Sequence, residues 1–269
     1  MDSGVSALDQ FQQDLDVIGN NIANVDTVGF KSANVEFADA LSQTIGASAA
    51  GAEQIGTGVV TSSITDAFTQ GSITNTGVAS NLAINGNGFF LVKDPSSGED
   101  YVTRDGDFTV NTSGNLVTSN GMLVQGYTAS GSTTVGNIQI SNANAPAGDT
   151  AAVQSYTINS NGNVSILLAD GTQFSGGQIV LQNFTSPTQL ISVGDNLYNG
   201  LTNAGPLTAP VAPGSNGLGS LVAGSLEMSN VDLASQLTDL ITAQRGFEAN
   251  AQTVTTSNEI LQDLVNLKH

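Results

Sequence analysis

The spacing of apolar residues in the C-terminal segment constrains this chain more than any other feature. From Leu233, the positions Leu233, Leu237, Leu240, Gln244, Phe247, Ala251, Val254, Asn258, Leu261, Val265 and Lys268 follow one another at alternating steps of four and three. That 3.5-residue period draws a narrow stripe along one helix face, as in a coiled coil. Gln244 and Asn258 interrupt the stripe with amides. Ser229 or Asn230 is expected to cap the helix, with Asp232 placed favourably for its dipole. At about 1.5 Å per residue such a helix extends roughly 50 Å. It is too long and too one-sided for a compact domain of this size to cover.

A second seam opens the chain. Val5, Leu8, Phe11, Leu15, Ile18, Ile22 and Val25 recur at helical spacing, behind Asp2 or Ser3 as a cap. Two one-sided helices at opposite chain ends can cover part of each other by pairing. The pair still leaves apolar flanks open, because so small a unit buries little surface. Neighbouring copies of the same chain are the expected cover, so an oligomer is predicted. After Ile18 the seam fills with amides and glycine in "DVIGNNIANVDTVGFKS" (16–32). Asn20, Asn21 and Asn24 sit where side-chain amides can bond backbone groups as the helix ends. Gly29 permits the chain to turn away and Phe30 can anchor it. This stretch is read as a joint between a helical core and an outer domain.

The middle of the chain has a different pattern. Short runs such as "NLAI", "GFFLV", "NVSILLA" and "GQIVLQNF" alternate with Asn-Gly and Asp-Gly pairs, which favour hairpin turns. "FTVNTSGNLV" (108–117) and "YTINSNGNVS" (156–165) form a weak internal repeat, read as two hairpins with glycine in the left-handed turn position. "NGNG" (85–88) is read as a further hairpin turn, and Gly200–Gly219 as an irregular surface loop. The fold class is therefore α+β. The terminal segments 1–30 and 226–269 are expected to form a discontinuous helical domain. Residues 31–69 are expected as an extended linker and 70–225 as a β-rich outer domain, mainly antiparallel.

Composition narrows the chemistry. Five cations (Lys31, Lys93, Arg104, Arg245 and Lys268) stand against 23 acids, a net charge of -18. Too few cations are available to displace counterions from a nucleic acid. There is no cysteine, and the single histidine is the terminal His269. Zinc sites and Ser-His or Cys-His nucleophiles are thereby excluded, and no cofactor or metal is expected. An acidic pair at Asp105 and Asp107 in "RDGDF" could in principle serve glycan hydrolysis. The simpler reading is a turn, with Arg104 paired to a nearby acid. No run of apolar residues is long enough for a transmembrane helix, and no cleavable signal is visible.

Three long segments carry a family resemblance. "SGVSALDQFQQDLDVIGNNIANVDTVGFKS" (3–32), "QGSITNTGVASNLAINGNGFFLV" (70–92) and "LEMSNVDLASQLTDLITAQRGFEANAQTVTTSNEILQDLVNL" (226–267) resemble the bacterial flagellar rod and hook axial proteins. Within that family, the C-terminal segment and "GQIVLQNFTSPTQLISVGDNLY" (177–198) look most like the hook branch. The chain has no room for the hook branch's inserted outer domain between Tyr127 and Tyr156, and its length suits the distal-rod branch instead. It also starts inside the family's usual N-terminus, so a shortened first turn is expected. The resemblance implies a structural, torque-transmitting subunit of a tubular polymer, with a hook subunit as the first reading and a straight distal-rod subunit as the alternative. It implies paired terminal helices on the tube axis and a β-domain outside. The implied partners are copies of itself, other axial proteins of the rod, hook cap and hook–filament junction, and the type III export apparatus. The implied location is the flagellar basal body or hook, reached without a cleaved signal.

Overall fold

A computed structural model describes residues 2–48, 51–128, 132, 134–142, 145, 151–207 and 209–267. In chain order it begins with helix α1 (Asp2–Ala23) and strands β1 (Ala33–Asp39), β2 (Ser42–Ser48), β3 (Gly51–Gly56) and β4 (Val59–Asp66). Next come β5 (Ile73–Asn75), β6 (Leu82–Asn85), β7 (Phe89–Lys93), β8 (Asp100–Thr103), β9 (Phe108–Val110), β10 (Leu116–Thr118), β11 (Leu123–Tyr127) and β12 (Val135–Asn137). They are followed by β13 (Val153–Ile158), β14 (Asn163–Leu168), β15 (Gln173–Ile179), β16 (Leu181–Gln182), β17 (Ile191–Gly194) and β18 (Leu197–Asn199). A short helix α2 (Leu201–Ala204), β19 (Ser220–Ala223), β20 (Ser225–Glu227) and the long helix α3 (Leu233–Asn266) complete the chain. Residues 1–25, 31–67 and 231–269 form one compact unit, and residues 26–30 and 68–230 form another.

The first unit pairs α1 with α3 and adds a β-ribbon. The segment 31–69, expected as an extended linker, is instead an antiparallel ribbon of β1 and β4, paired from Ala33↔Asp66 to Asp39↔Val59 with a bulge between Glu36 and Phe37. Strands β2 and β3 pair with each other beyond it. Burial in β4 alternates residue by residue, so one face of this polar, Thr- and Ser-rich strand is covered while the other is open. The covered face meets α1. The rings of Phe11 and Phe37 lie 6.4 Å apart, and the Thr61 hydroxyl donates to the side-chain oxygen of Gln10. The ribbon was hidden in the sequence because the covered positions of β4 are mostly polar, Thr61, Ser63 and Thr65 among them.

In the second unit, one large sheet runs in the order β13-β14-β15-β11-β7-β8-β18-β17, with β9, β10, β12 and β16 attached beside this path. Its pairings among the described residues are antiparallel. Strand β7 shows why the core is continuous. Phe90 and Val92 point into a core with Phe108, Val124, Ile166, Ile179 and Leu181. Phe89 and Leu91 point the other way, into a cluster with Val102, Phe184, Leu190 and Tyr198. A strand buried on both faces reads as an unbroken apolar run, as "FFLV" does. Edge-to-face ring pairs at 5.0 Å (Phe90 and Phe108) and 5.4 Å (Phe68 and Phe89) order the two clusters.

The internal repeat is structural. In β9–β10, Gly114 (φ 79°) donates to Asn111 O and Asn111 N–H donates to Asn115 O; in β13–β14, Gly162 (φ 82°), Asn159 and Asn163 repeat the pattern. Three expectations are corrected. "NGNG" does not form a hairpin, because β6 pairs with β19 while β7 pairs with β8, β11 and β16; Gly86 and Gly88 turn the chain between partners instead. The segment 200–219 carries helix α2 and sends Ala204, Pro213 and Leu218 into buried positions, so it is more than a surface loop. Residues 225–227 form strand β20, so the first residues of the segment 226–269 are not helical, while α3 starts at Leu233, where its seam begins.

Candidate assembly site

Helices α1 and α3 run antiparallel, since Asn21 meets Gln236, Phe11 meets Gly246 and Gly4 meets Val254. Asp232 itself caps α3, its Oδ1 accepting from Ala234 N–H at 2.9 Å. Ser229 and Asn230 do not cap it, because the helix begins at Leu233 and Asp232 is the residue in the cap position. The face of α3 turned inward consists of Gln236, Leu240, Ala243, Gly246, Asn250, Val254 and Ser257, all buried or half-buried. These are mostly small or polar residues. Gly246 is a notch for the Phe11 ring, where an added Cβ would lie 2.7 Å from the ring.

On α1 the sequence-derived seam and the packed face coincide. Leu8, Phe11, Leu15, Ile18, Ile22 and Val25 are buried or half-buried, and only Val5 is exposed. On α3 they diverge. Leu240, Ala251 and Val254 are half-buried, whereas Leu233, Leu237, Gln244, Phe247, Asn258, Leu261 and Val265 are exposed. A single 22-residue helix covers only one stripe of a 34-residue partner. The small residues allow the closest approach, so they take the inner position and the larger ones remain outside. Leu237 is 50% exposed, Ile241 58%, Ile260 61%, Leu264 58% and Val265 64%. These apolar side chains, spread over the outer sides of α3, are left open to water. Gln236, Ala243, Gly246, Asn250 and Ser257 were missed from sequence because a search for bulk passes over small residues. Asp14 and Asp239 line one groove of the helix pair. Burial first, and the Asp239 charge second, raise the Asp14 carboxyl above its ordinary value.

The amide-rich stretch divides between the units. Asn21 is buried, and its Nδ2 donates to Ala33 O at 2.8 Å and to Gln236 Oε1 at 3.0 Å. Its Oδ1 accepts from Ala33 N–H at 3.0 Å, so one side chain ties α1, α3 and the start of β1 together. Asn24 Nδ2 donates to the Asn20 carbonyl at 2.9 Å and to Asn20 Oδ1 at 3.0 Å, closing the helix end. Gly29 and Phe30 belong to the β-rich unit. Gly29 is buried at φ 70°, and its N–H donates to Glu227 O at 2.8 Å.

"RDGDF" is a turn. Asp105 Oδ1 accepts from Asp107 N–H at 2.9 Å, and a Cβ on Gly106 would overlap the Leu82 carbonyl. Burial pushes the Asp105 carboxyl up to about 6. Arg104 pairs with Glu227 at 3.1 Å, donates to Gly86 O at 3.0 Å and lies 5.2 Å from the Phe89 ring centre. Among the described residues, no cluster of three or more His, Cys, Asp or Glu could hold a metal ion. No described helix is long and apolar enough to cross a membrane.

Paired terminal helices and an antiparallel β-unit inserted between them in the sequence, with no metal cluster among the described residues, define the class: an α+β protein built around its two chain ends. Three family models match the chain: a flagella basal body rod protein model over residues 1–31, a flagellar hook protein FlgE/F/G D1 domain over residues 83–166, and a flagellar basal body rod FlgEFG C-terminal model over residues 222–267. The chain is 44% identical to the flagellar basal-body rod protein FlgG of Bacillus subtilis, over 99% of this chain and 97% of that protein. It is 36% identical to FlgG of Caulobacter vibrioides, over 96% and 94%. Against the flagellar hook protein FlgE of Borreliella burgdorferi it is 27% identical, over 99% of each chain. The chain belongs to the flagellar basal-body rod and hook protein family. The family is structural rather than enzymatic and polymerises in the flagellar basal body. The glycan-hydrolase reading of Asp105 and Asp107 falls with that assignment. The hook reading holds only at the level of the family, since rod proteins match along the whole chain at higher identity.

Proposed function

We propose that this chain is a distal-rod subunit, one of many copies that stack into the straight drive shaft of the flagellum. The observation that carries this reading is the end-to-end match to rod proteins of nearly equal length. The hook relative aligns only across 439 positions, far more than the 269 residues here, because it holds segments this chain lacks. The stretch between Tyr127 and Val153 is too short to form a further domain with its own core. In this reading the exposed stripe of α3 (Leu233, Leu237, Phe247, Leu261 and Val265) meets neighbouring copies. Asn20, Asn21, Asn24, Gly29 and Phe30 form the joint between tube and outer layer. Other axial proteins at each end of the shaft and the type III export apparatus are the further partners, the latter delivering the subunit without a cleaved signal. Deletion of the gene tests the assignment. Electron microscopy of isolated basal bodies should show loss of the distal rod; a complete rod lacking only its hook would return the assignment to the hook branch.

A further inference from the structure

The chain passes between its two units at residues 25–26, 30–31, 67–68 and 230–231. Within the β-rich unit, the segments that make these passages converge on one residue. The backbone carbonyl of Glu227 accepts from Gly29 N–H at 2.8 Å, in segment 26–30. Its Oε1 accepts from Gly71 N–H at 3.0 Å, in the segment that starts at Phe68. The returning strand adds two bonds, Met228 N–H to Ser72 O and Asn230 Nδ2 to Thr69 Oγ1, both at 2.8 Å. Glu227 is 0% exposed, and its Oε2 faces the Arg104 guanidinium at 3.1 Å. Arg104 is anchored in turn on Gly86 O and the Phe89 ring. The fit leaves no room for adjustment, since a Cβ on Gly71 would overlap the Met228 carbonyl and one on Gly29 would lie 2.7 Å from Asp105 N.

A buried ion pair adds little net stability compared with apolar side chains of the same volume. What it supplies here is direction, because a carboxylate can accept from two sides where an apolar side chain holds neither. We propose that Glu227, oriented by Arg104, is the fastener of the four chain passages. It is a positioning residue that keeps segments 26–30, 68–72 and 227–230 in register when force enters through the terminal helices. The mechanical role rests on the rod reading above; the fastening does not.

Amide hydrogen exchange on the purified full-length chain tests it, comparing wild type with Glu227→Gln, which keeps the volume but removes the charge facing Arg104. The amides of Gly29, Gly71 and Met228 should exchange about tenfold faster or more, while those of Val92, Val102 and Ile166 stay within about twofold. Uniform acceleration throughout the unit would reduce the pair to a general stabiliser and overturn the proposal, as would no change at all. Should Glu227→Gln not fold, the double variant Arg104→Met with Glu227→Leu restores an apolar fill but still deprives Gly71 of its acceptor. Fast exchange confined to the passages is again expected, and its absence again overturns the idea. The measurement needs no assembled filament, so it can fail without the rod reading failing, and the reverse.

Discussion

At the scale of single residues, burial and glycine geometry dominate. Asp105 sits half-buried in its turn, and the lost hydration holds its carboxyl at about 6 against an ordinary 3.8. The folded chain therefore keeps this proton to higher pH than the unfolded chain does. Stability from this group is full below about pH 4 and is lost as pH rises through about 6. Asp105→Asn retains the oxygen that accepts from Asp107 N–H and removes the ionisation. It should flatten the fall in stability between those pH values and raise stability at pH 7 by about 1–2 kcal/mol. Urea unfolding of both proteins at pH 4 and pH 7 measures this, and parallel pH profiles would show that the carboxylate is better hydrated than its burial implies. The same local logic bears out the simpler reading of "RDGDF" as a turn, with Asp105 bonded to Asp107 N–H and Arg104 paired to an acid.

At the scale of elements, the helix pair is governed by one notch. Glycine inside a helix is unfavourable by up to about 1 kcal/mol relative to alanine, and Gly246 offsets that by admitting the Phe11 ring. Gly246→Leu should force the ring out and weaken the α1–α3 contact by about 1–3 kcal/mol, the usual cost of overpacking. Amide protection in α1 should fall while the β-rich unit keeps its own. Unchanged protection at Phe11 and its neighbours would mean that the two helices are not held by this contact. The β1–β4 ribbon teaches a related point. Its alternation of covered and open residues is regular, but the covered ones include Thr61 and Ser63, so hydrophobicity alone could not reveal it.

At the scale of the whole molecule, the proposed assembly through α3 sets exposed apolar side chains against a large like charge. Phe247 stands in the middle of the outer stripe, 36% exposed. Phe247→Asp would bury an unpaired carboxylate in a subunit contact, at a cost of several kcal/mol. It should abolish polymer in a sedimentation assay while leaving the unfolding transition of the β-rich unit in place. A net charge of -18 makes each subunit repel the next, so wild-type polymer should form more readily as salt shortens the range of that repulsion. Wild-type yield from the variant, at any ionic strength, would show that neighbours pack elsewhere.

Much of this protein was legible in its residues. Periodicity located both terminal helices, Asn-Gly and Asp-Gly pairs located turns, and the repeat around Gly114 and Gly162 appears as two matching hairpins. These are local properties, set by the backbone preferences of neighbouring residues, and the sequence by itself determined them along with the family. Which stripe of α3 faces α1, what pairs with β6, and that Arg104 finds its acid 123 positions away in Glu227 were decided only by the tertiary structure. A 3.5-residue period says that a helix has a face but not which partner will cover it. That choice depends on close approach between distant segments, where a glycine can outweigh a leucine.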